Sequence, residues 1–352
     1  MNRNRTTLAQ FLSDPAQAAD SAVAALMLEI AQSVKALAGM ISEGDLADVT
    51  GKLESRNVQG ETQMKLDVVS NDLFIDSFRR CGLVQGIVSE ELDAPVLLSA
   101  KPEQSPFLVI FDPLDGSSNV PVNVSVGSIF SVLPAPHDRP ASMEDYLQAG
   151  SQQLAAGYAI YGPATMLVLT VGRGTHGFTL DRKTAEFVLT HAAMQVPEDT
   201  AEFAINASNE RFWEPPVKRY VAECKAGASD LRGKDFNTRW VASMVADIHR
   251  ILMRGGIYLY PKDSKDMTRA GRLRLMYEVS PMAMLVEQAG GIASTGRMRV
   301  LDIVPDNVHQ RMPVVIGSSN EVLRVERYHR EYDQGHGESD KMPFFNDRSF
   351  YM

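Results

Sequence analysis

The chain is 352 residues long, 44% hydrophobic and 22% charged, with a formal net charge of −9. That length suggests two domains, or one domain with a large lobe, and the acidic balance argues against nucleic acid as the main partner. Two cysteines, Cys81 and Cys224, make no disulfide framework and fit a reducing cytoplasm, while the lack of any run of about 18 apolar residues predicts no transmembrane helix and no membrane partner.

The first helix is expected over residues 17–41, where Val23, Leu26, Ile30, Val34, Leu37 and Ile41 recur at spacings of three and four. Asn71 is expected to cap a second helix through Phe74 and Phe78. Short apolar runs at 83–88, 107–111, 127–133, 155–160 and 165–171 read as strands bounded by Gly, Pro and Asp. A helical pattern returns at 239–254 and stops at Gly255-Gly256. The run 257–260 reads as a strand closed by Pro261. Ser280-Pro281 reads as an N-cap followed by proline, with Met282, Leu285, Val286 and Ala289 on one helix face. A last strand over 312–317 and a last helix over 319–329 follow. Strands and helices mix without a strict βαβ rhythm, which indicates an α+β fold. The polar stretch VPEDTAE suggests a boundary near 192–200, giving units at 1–195 and 196–330. The tail 331–352 is polar but ends in aromatics, which leaves disorder and docking both open.

Four groups of acids stand out: Glu61 with Asp67, Glu90-Glu91, Asp112 with Asp115, and Glu278. Taken singly, each is ordinary turn or surface chemistry. Together they place carboxylates at two strand ends and one helix start, where such folds tend to put active sites. In FDPLDGSSN, Pro113 and Gly116 are expected to force a tight turn that points Asp112 and Asp115 into one space. The Leu114 carbonyl lies between them, and Gly116, Ser117 and Ser118 offer N–H groups and hydroxyls to an anion. Acids beside an amide nest are what a metal-bridged phosphate needs. Oxygen donors suit magnesium or manganese, and no HxxxH or paired CxxC favours zinc.

On these segments the sequence resembles the class 1 fructose-1,6-bisphosphatases, relatives of the inositol monophosphatases. The matching runs are LDVVSNDL, VSEE, FDPLDGSSN, VGSIF, ASMVADIHR, GGIYLYP, GRLRLMYE, EQAGG and LDIVPDNVHQR, in order across about residues 6–330. The resemblance implies two layered domains in an αβαβα sandwich, a cytoplasmic homotetramer and Mg²⁺, with Mn²⁺ as an alternative, at roughly two or three ions per subunit. It implies metal ligation by Glu90, Asp112, Asp115, Glu278 and the Leu114 carbonyl, and activation of water by Asp67 and Glu91. Gly116, Ser117 and Ser118 would hold the 1-phosphate together with Asp115. Asn209, Tyr260 and Arg272 would hold the 6-phosphate, Arg239 would reach it from a neighbouring subunit, and Met244 would touch the sugar. The implied reaction is hydrolysis of the 1-phosphate of fructose 1,6-bisphosphate. Sedoheptulose 1,7-bisphosphate is the near alternative, and a non-catalytic metabolite-binding regulator is an alternative of another class.

Several positions depart from the family pattern. Glu61 stands for an aspartate, Arg272 for a lysine, and Phe212 and Trp240 for tyrosines. The family's N-terminal AMP site needs glycine and threonine. Residues 14–27 here read DPAQAADSAVAALM and have neither, and Pro106-Phe107 replaces a lysine-tyrosine pair. Inhibition by AMP at that place is therefore not expected.

Overall fold

The computed structural model of the chain describes residues 5–17, 20–47, 52–56, 62–267 and 269–336. An eight-stranded sheet runs in the order Glu186–Met194, Thr175–Asp181, Thr165–Thr170, Ala155–Tyr161, Val126–Pro134, Phe107–Asp115, Val84–Ser89, Val96–Leu97. Its one parallel pairing joins Val84–Ser89 to Phe107–Asp115. A five-stranded sheet runs Asn237–Thr238, Glu202–Ile205, Ile257–Tyr260, Val314–Gly317, Ile292–Ser294. The segment 195–201 links the two sheets.

Side-chain alternation explains the layering, because successive strand residues face opposite sides. In Ala155–Tyr161, Ala155, Ala159 and Tyr161 join a core with Leu26, Ile30, Val34, Phe74 and Phe78. These come from the helices Ser21–Glu43 and Lys65–Cys81. Ala156, Tyr158 and Ile160 of the same strand face a second core with Val245, Ile248, Met282 and Leu285, from the helices Met244–Arg254 and Ser280–Gln288. The five-stranded sheet meets that second core through Ala204, Tyr258, Val314 and Ile316. Its other face puts Phe203, Ile205, Ile257, Leu259 and Val315 against Tyr220, Val221, Val322 and Val325. The order is helix, sheet, helix, sheet, helix, so the expected α+β sandwich of five layers is what forms. Ser21–Glu43 is long and apolar enough by composition to cross a membrane. Here its Val23, Leu26, Met27, Ile30, Val34 and Leu37 are buried in the first core.

Several elements differ from the sequence reading. Asn71 caps no helix. It lies buried inside Lys65–Cys81, where its Oδ1 accepts a 2.7 Å bond from Ser89 Oγ. The hairpin Thr175–Asp181/Glu186–Met194 and the helix Pro215–Ala226 were not expected. Ser280 is no N-cap either: a π-helical turn, Leu275–Val279, runs directly into Ser280–Gln288. The helix expected from 239 starts at Met244 instead, capped by Ser243, whose Oγ accepts from Ala246 N at 3.3 Å. The last helix runs on to Asp333.

Candidate active site

Strand register brings the first two acids together. Asp112 pairs with Ile129 and Asp115 with Gly127, so three steps along one strand match two along the other. The extra residue is a β-bulge. Residues three apart on a regular strand face opposite ways, and the bulge restores a common face. This corrects the expected tight turn at Pro113: the chain stays extended through Asp115, and only then does Gly116, with φ of +75°, turn it into Ser117–Val122. A Cβ on Gly116 would sit 2.7 Å from Ser243 Cβ, so this position requires glycine twice over.

Glu278 arrives from the other side on the π-helical turn, a distortion frequent at functional sites. Ligand atoms of Asp112, Asp115 and Glu278 all lie within 4.8 Å of one another, at side chains whose residues are only 2%, 8% and 3% exposed. Each carboxylate is anchored. Asp112 Oδ1 accepts from Leu114 N at 2.9 Å. Asp115 Oδ2 accepts from Ser243 Oγ at 2.6 Å and Val245 N at 2.8 Å, at the start of the helix Met244–Arg254. Glu278 Oε2 accepts from Arg274 N at 2.6 Å. Helix N-termini favour negative charge, which suits Asp115. Buried Glu90 pairs with the Arg274 guanidinium, which also stands 3.5 Å from Glu278.

The electrostatics follow from acids crowded away from water. Burial, and then the charges of Glu90, Asp115 and Glu278, hold the Asp112 carboxyl well above the usual range. Burial raises Asp115 as well, against the bonds from Ser243 and Val245. Burial pushes Glu278 up to about 8, opposed by Arg274. Without a compensating cation each of these groups keeps its proton to higher pH than a free carboxyl does. A cluster of buried oxygen donors, with neither thiol nor imidazole in it, fits a hard divalent cation.

The remaining expected residues fall in two sets. Asp67 is buried, with Oδ2 accepting from Met64 N at 2.7 Å at the start of Lys65–Cys81. Glu91 is half-buried in the turn after Val84–Ser89, and its N–H donates to Ser89 Oγ at 3.2 Å. Met244 is buried beside Asp115's two donors. Asn209 follows the strand Glu202–Ile205 and Tyr260 ends the parallel strand Ile257–Tyr260, at the same end of the second sheet. Arg272 is engaged by Asp263 at 3.3 Å. Arg239 is exposed and folds back onto the Thr238 carbonyl at 2.9 Å, away from the acid cluster's hydrogen bonds among the described residues. Trp240 stacks on Tyr258 with centroids 5.6 Å apart and planes 7° apart. Glu61 lies outside the described residues.

Sequence reasoning missed Arg274, Ser243 and Asp247. Arg274 sits four residues before Glu278, a helical pairing distance that could have flagged it. Asp247, pushed up to about 7 by burial, accepts from Val241 N at 3.0 Å and fixes the loop that delivers Ser243. Nothing in the sequence marks Ser243 as the partner of a residue 128 positions earlier.

Comparison with known proteins agrees along the chain. Residues 6–192 match the family model described as "Fructose-1-6-bisphosphatase, N-terminal domain", and residues 196–330 the corresponding C-terminal domain. Fructose-1,6-bisphosphatase class 1 3 of Methylibium petroleiphilum is 54% identical over 331 residues, covering 93% of both chains. Among solved structures, Leishmania major fructose-1,6-bisphosphatase in holo form aligns with a TM-score of 0.86 and its apo form with 0.81. Both are 38% identical, over 93% of this chain and 100% of theirs.

Proposed function

The chain belongs to the fructose-1,6-bisphosphatase family, and on that premise we propose that it hydrolyses the 1-phosphate of D-fructose 1,6-bisphosphate to fructose 6-phosphate and inorganic phosphate. It is a phosphoric monoester hydrolase of carbohydrate metabolism, and its family implies a divalent metal. The observation that carries the reading is the convergence of Asp112, Asp115 and Glu278 within 4.8 Å, on two buried elements of such a chain.

We assign Glu90, Asp112, Asp115, Glu278 and the Leu114 carbonyl to holding Mg²⁺, with Mn²⁺ as a substitute. Bound there, the cation neutralises charge on the transferring phosphoryl group and acidifies water. Asp67 and Glu91 orient the attacking water, and a carboxylate takes its proton. Gly116, Ser117 and Ser118 present N–H groups and hydroxyls to the 1-phosphate where the chain leaves the bulged strand. Asn209, Tyr260 and Arg272 hold the far phosphate, and Met244 packs beneath the sugar. Arginine can replace lysine at 272 because its fork grips phosphate bidentately. Arg239, turned outward, would serve a neighbouring subunit of a cytoplasmic homotetramer. Unit 1–195 then carries most of the cation's ligands, and unit 196–330 carries Glu278 with the sugar and far-phosphate contacts, with 331–352 as a tail.

Phosphate release should be measured from fructose 1,6-bisphosphate and from sedoheptulose 1,7-bisphosphate, with and without Mg²⁺. Mg²⁺-dependent release, faster from the fructose ester, is expected. Faster release from the sedoheptulose ester would move the assignment to that substrate. No release from either would favour a regulator, against which the acid set argues.

A further inference from the structure

Glu90 and Glu278 sit on separate segments, and one side chain outside both ties those segments together. Tyr277 precedes Glu278, and Asp93 follows Glu90-Glu91 two residues on, just past their turn. His309 lies between them. Its Nδ1 is 3.1 Å from the Tyr277 hydroxyl and its Nε2 is 3.2 Å from the Asp93 carbonyl oxygen. The two rings meet edge to face, 5.9 Å apart at 71°. A carbonyl only accepts, so Nε2 carries the proton, and the neutral ring's Nδ1 then accepts from the tyrosine. Burial lowers the histidine's pKa, which favours that neutral form.

The imidazole is firmly mounted. The His309 N–H donates to Asn307 Oδ1 at 3.1 Å, and the next carbonyl, of Gln310, accepts from Leu275 N at 2.8 Å. Arg311 pairs with Arg274 in a two-stranded ladder. Val308 is buried in a small core with Val88, Ile110 and Tyr277. The brace therefore runs from a packed anchor to both acid-bearing segments.

We propose that His309 is a positioning residue that holds these segments at the separation a shared divalent cation needs, against the mutual repulsion of their carboxylates. The proposal rests on reading the acid cluster as a metal centre. A histidine that only fills space would affect stability and leave cation affinity alone, since it reaches no ligand oxygen.

Equilibrium Mn²⁺ binding by the full chain without substrate separates the two roles, with free Mn²⁺ read by electron paramagnetic resonance and thermal midpoints taken alongside. His309→Phe should weaken binding about tenfold, the scale of one or two lost hydrogen bonds. Tyr277→Phe should weaken it about threefold alone, and less than about twofold on top of His309→Phe, because both act through one contact. His309→Gln, which can still donate toward Asp93, should recover part of the loss. Unchanged Mn²⁺ affinity in folded His309→Phe, or fully additive losses, would overturn the brace. If His309→Phe does not fold, unchanged affinity in Tyr277→Phe overturns it. Asp115→Asn is the control: if it binds Mn²⁺ as wild type does, the metal reading itself fails.

Discussion

Asp112, Asp115 and Glu278 are mounted on a bulged strand and a π-helical turn, each carboxylate fixed by a bond to backbone N–H. Asn209, Arg239 and Arg272 are carried instead by a short 3₁₀ turn and by loops around the second sheet. There Arg272 is satisfied by Asp263 and Arg239 by its own neighbour's carbonyl. The difference separates chemistry from recognition. On the proposed assignment, a cation and an attacking water require fixed oxygens, which suits elements that cannot move cheaply. On the same assignment a distant phosphate needs charge more than rigidity, and the long side chains of Arg239 and Arg272, which can exchange partners, would supply it.

The strongest way to break this contrast is to remove one fixed acid. Asp115→Asn should lower phosphate release about 10³-fold or more while the protein stays folded, and wild-type enzyme in excess chelator should fall equally. Phosphate release by that variant near the wild-type rate would show that the anchored cluster is not the reaction centre. Glu91→Gln probes the half-buried acid that follows Glu90 in the chain. A general base contributes about 10²–10⁴-fold, so kcat should drop in that range with KM little changed. Asp67→Asn belongs beside it, with the added cost that Asp67 ties down the start of a helix. A collapse in KM alone would make Glu91 a binding group.

How far the sequence could have led differs between the same two regions. The core strands and the first helix were legible, because a fully buried run or a three-four spacing is a local signal. The hairpin to Met194 was not, because its outer strand alternates exposure irregularly at the sheet edge. Asn71 misled because its polar amide is used by Ser89 across the fold rather than by its own helix. Ser280 misled because serine before proline looks the same whether a helix begins there or continues from a π-helical turn. The acids of the cluster could be read from motif spacing. The bulge that turns Asp112 and Asp115 to one face, and the donors Ser243 and Arg274, are tertiary facts with no local trace beyond Arg274's spacing to Glu278.

The recognition end predicts smaller effects. Arg239→Ala should raise KM about tenfold, the scale of a lost charge-assisted bond. Mixed with Asp115→Asn under demonstrated subunit exchange, it should regain activity, since each variant supplies what the other lacks. No regain would place Arg239 within its own subunit's chemistry or outside it altogether. AMP should have the smallest effect. The start of the first long helix is already occupied by the Asp20 carboxylate, accepting from Ala22 N at 2.7 Å. AMP titrated at saturating Mg²⁺ should leave the rate within about twofold. Cooperative micromolar inhibition abolished by changes within 14–27 would contradict that.

The central claim is that a cation replaces protons in a buried carboxylate cluster, and pH-dependent stability reads it directly. Glu278 is raised from 4.5 to about 8 by burial, and Asp112 and Asp115 are raised too. Between the unfolded and folded values the folded chain holds protons that the unfolded chain has lost. The metal-free protein should therefore lose stability as pH rises from about 4.5 through about 8, where Glu278 gives up its proton. Mg²⁺ should offset that loss, so its stabilising effect should grow with pH to near 8. The thermal midpoint should be measured from pH 5 to pH 8.5, with and without Mg²⁺, in wild type and Asp115→Asn. A falling metal-free midpoint rescued by Mg²⁺ in wild type only is the expected result. A midpoint indifferent to Mg²⁺ at every pH, or rescued equally in the variant, would contradict it.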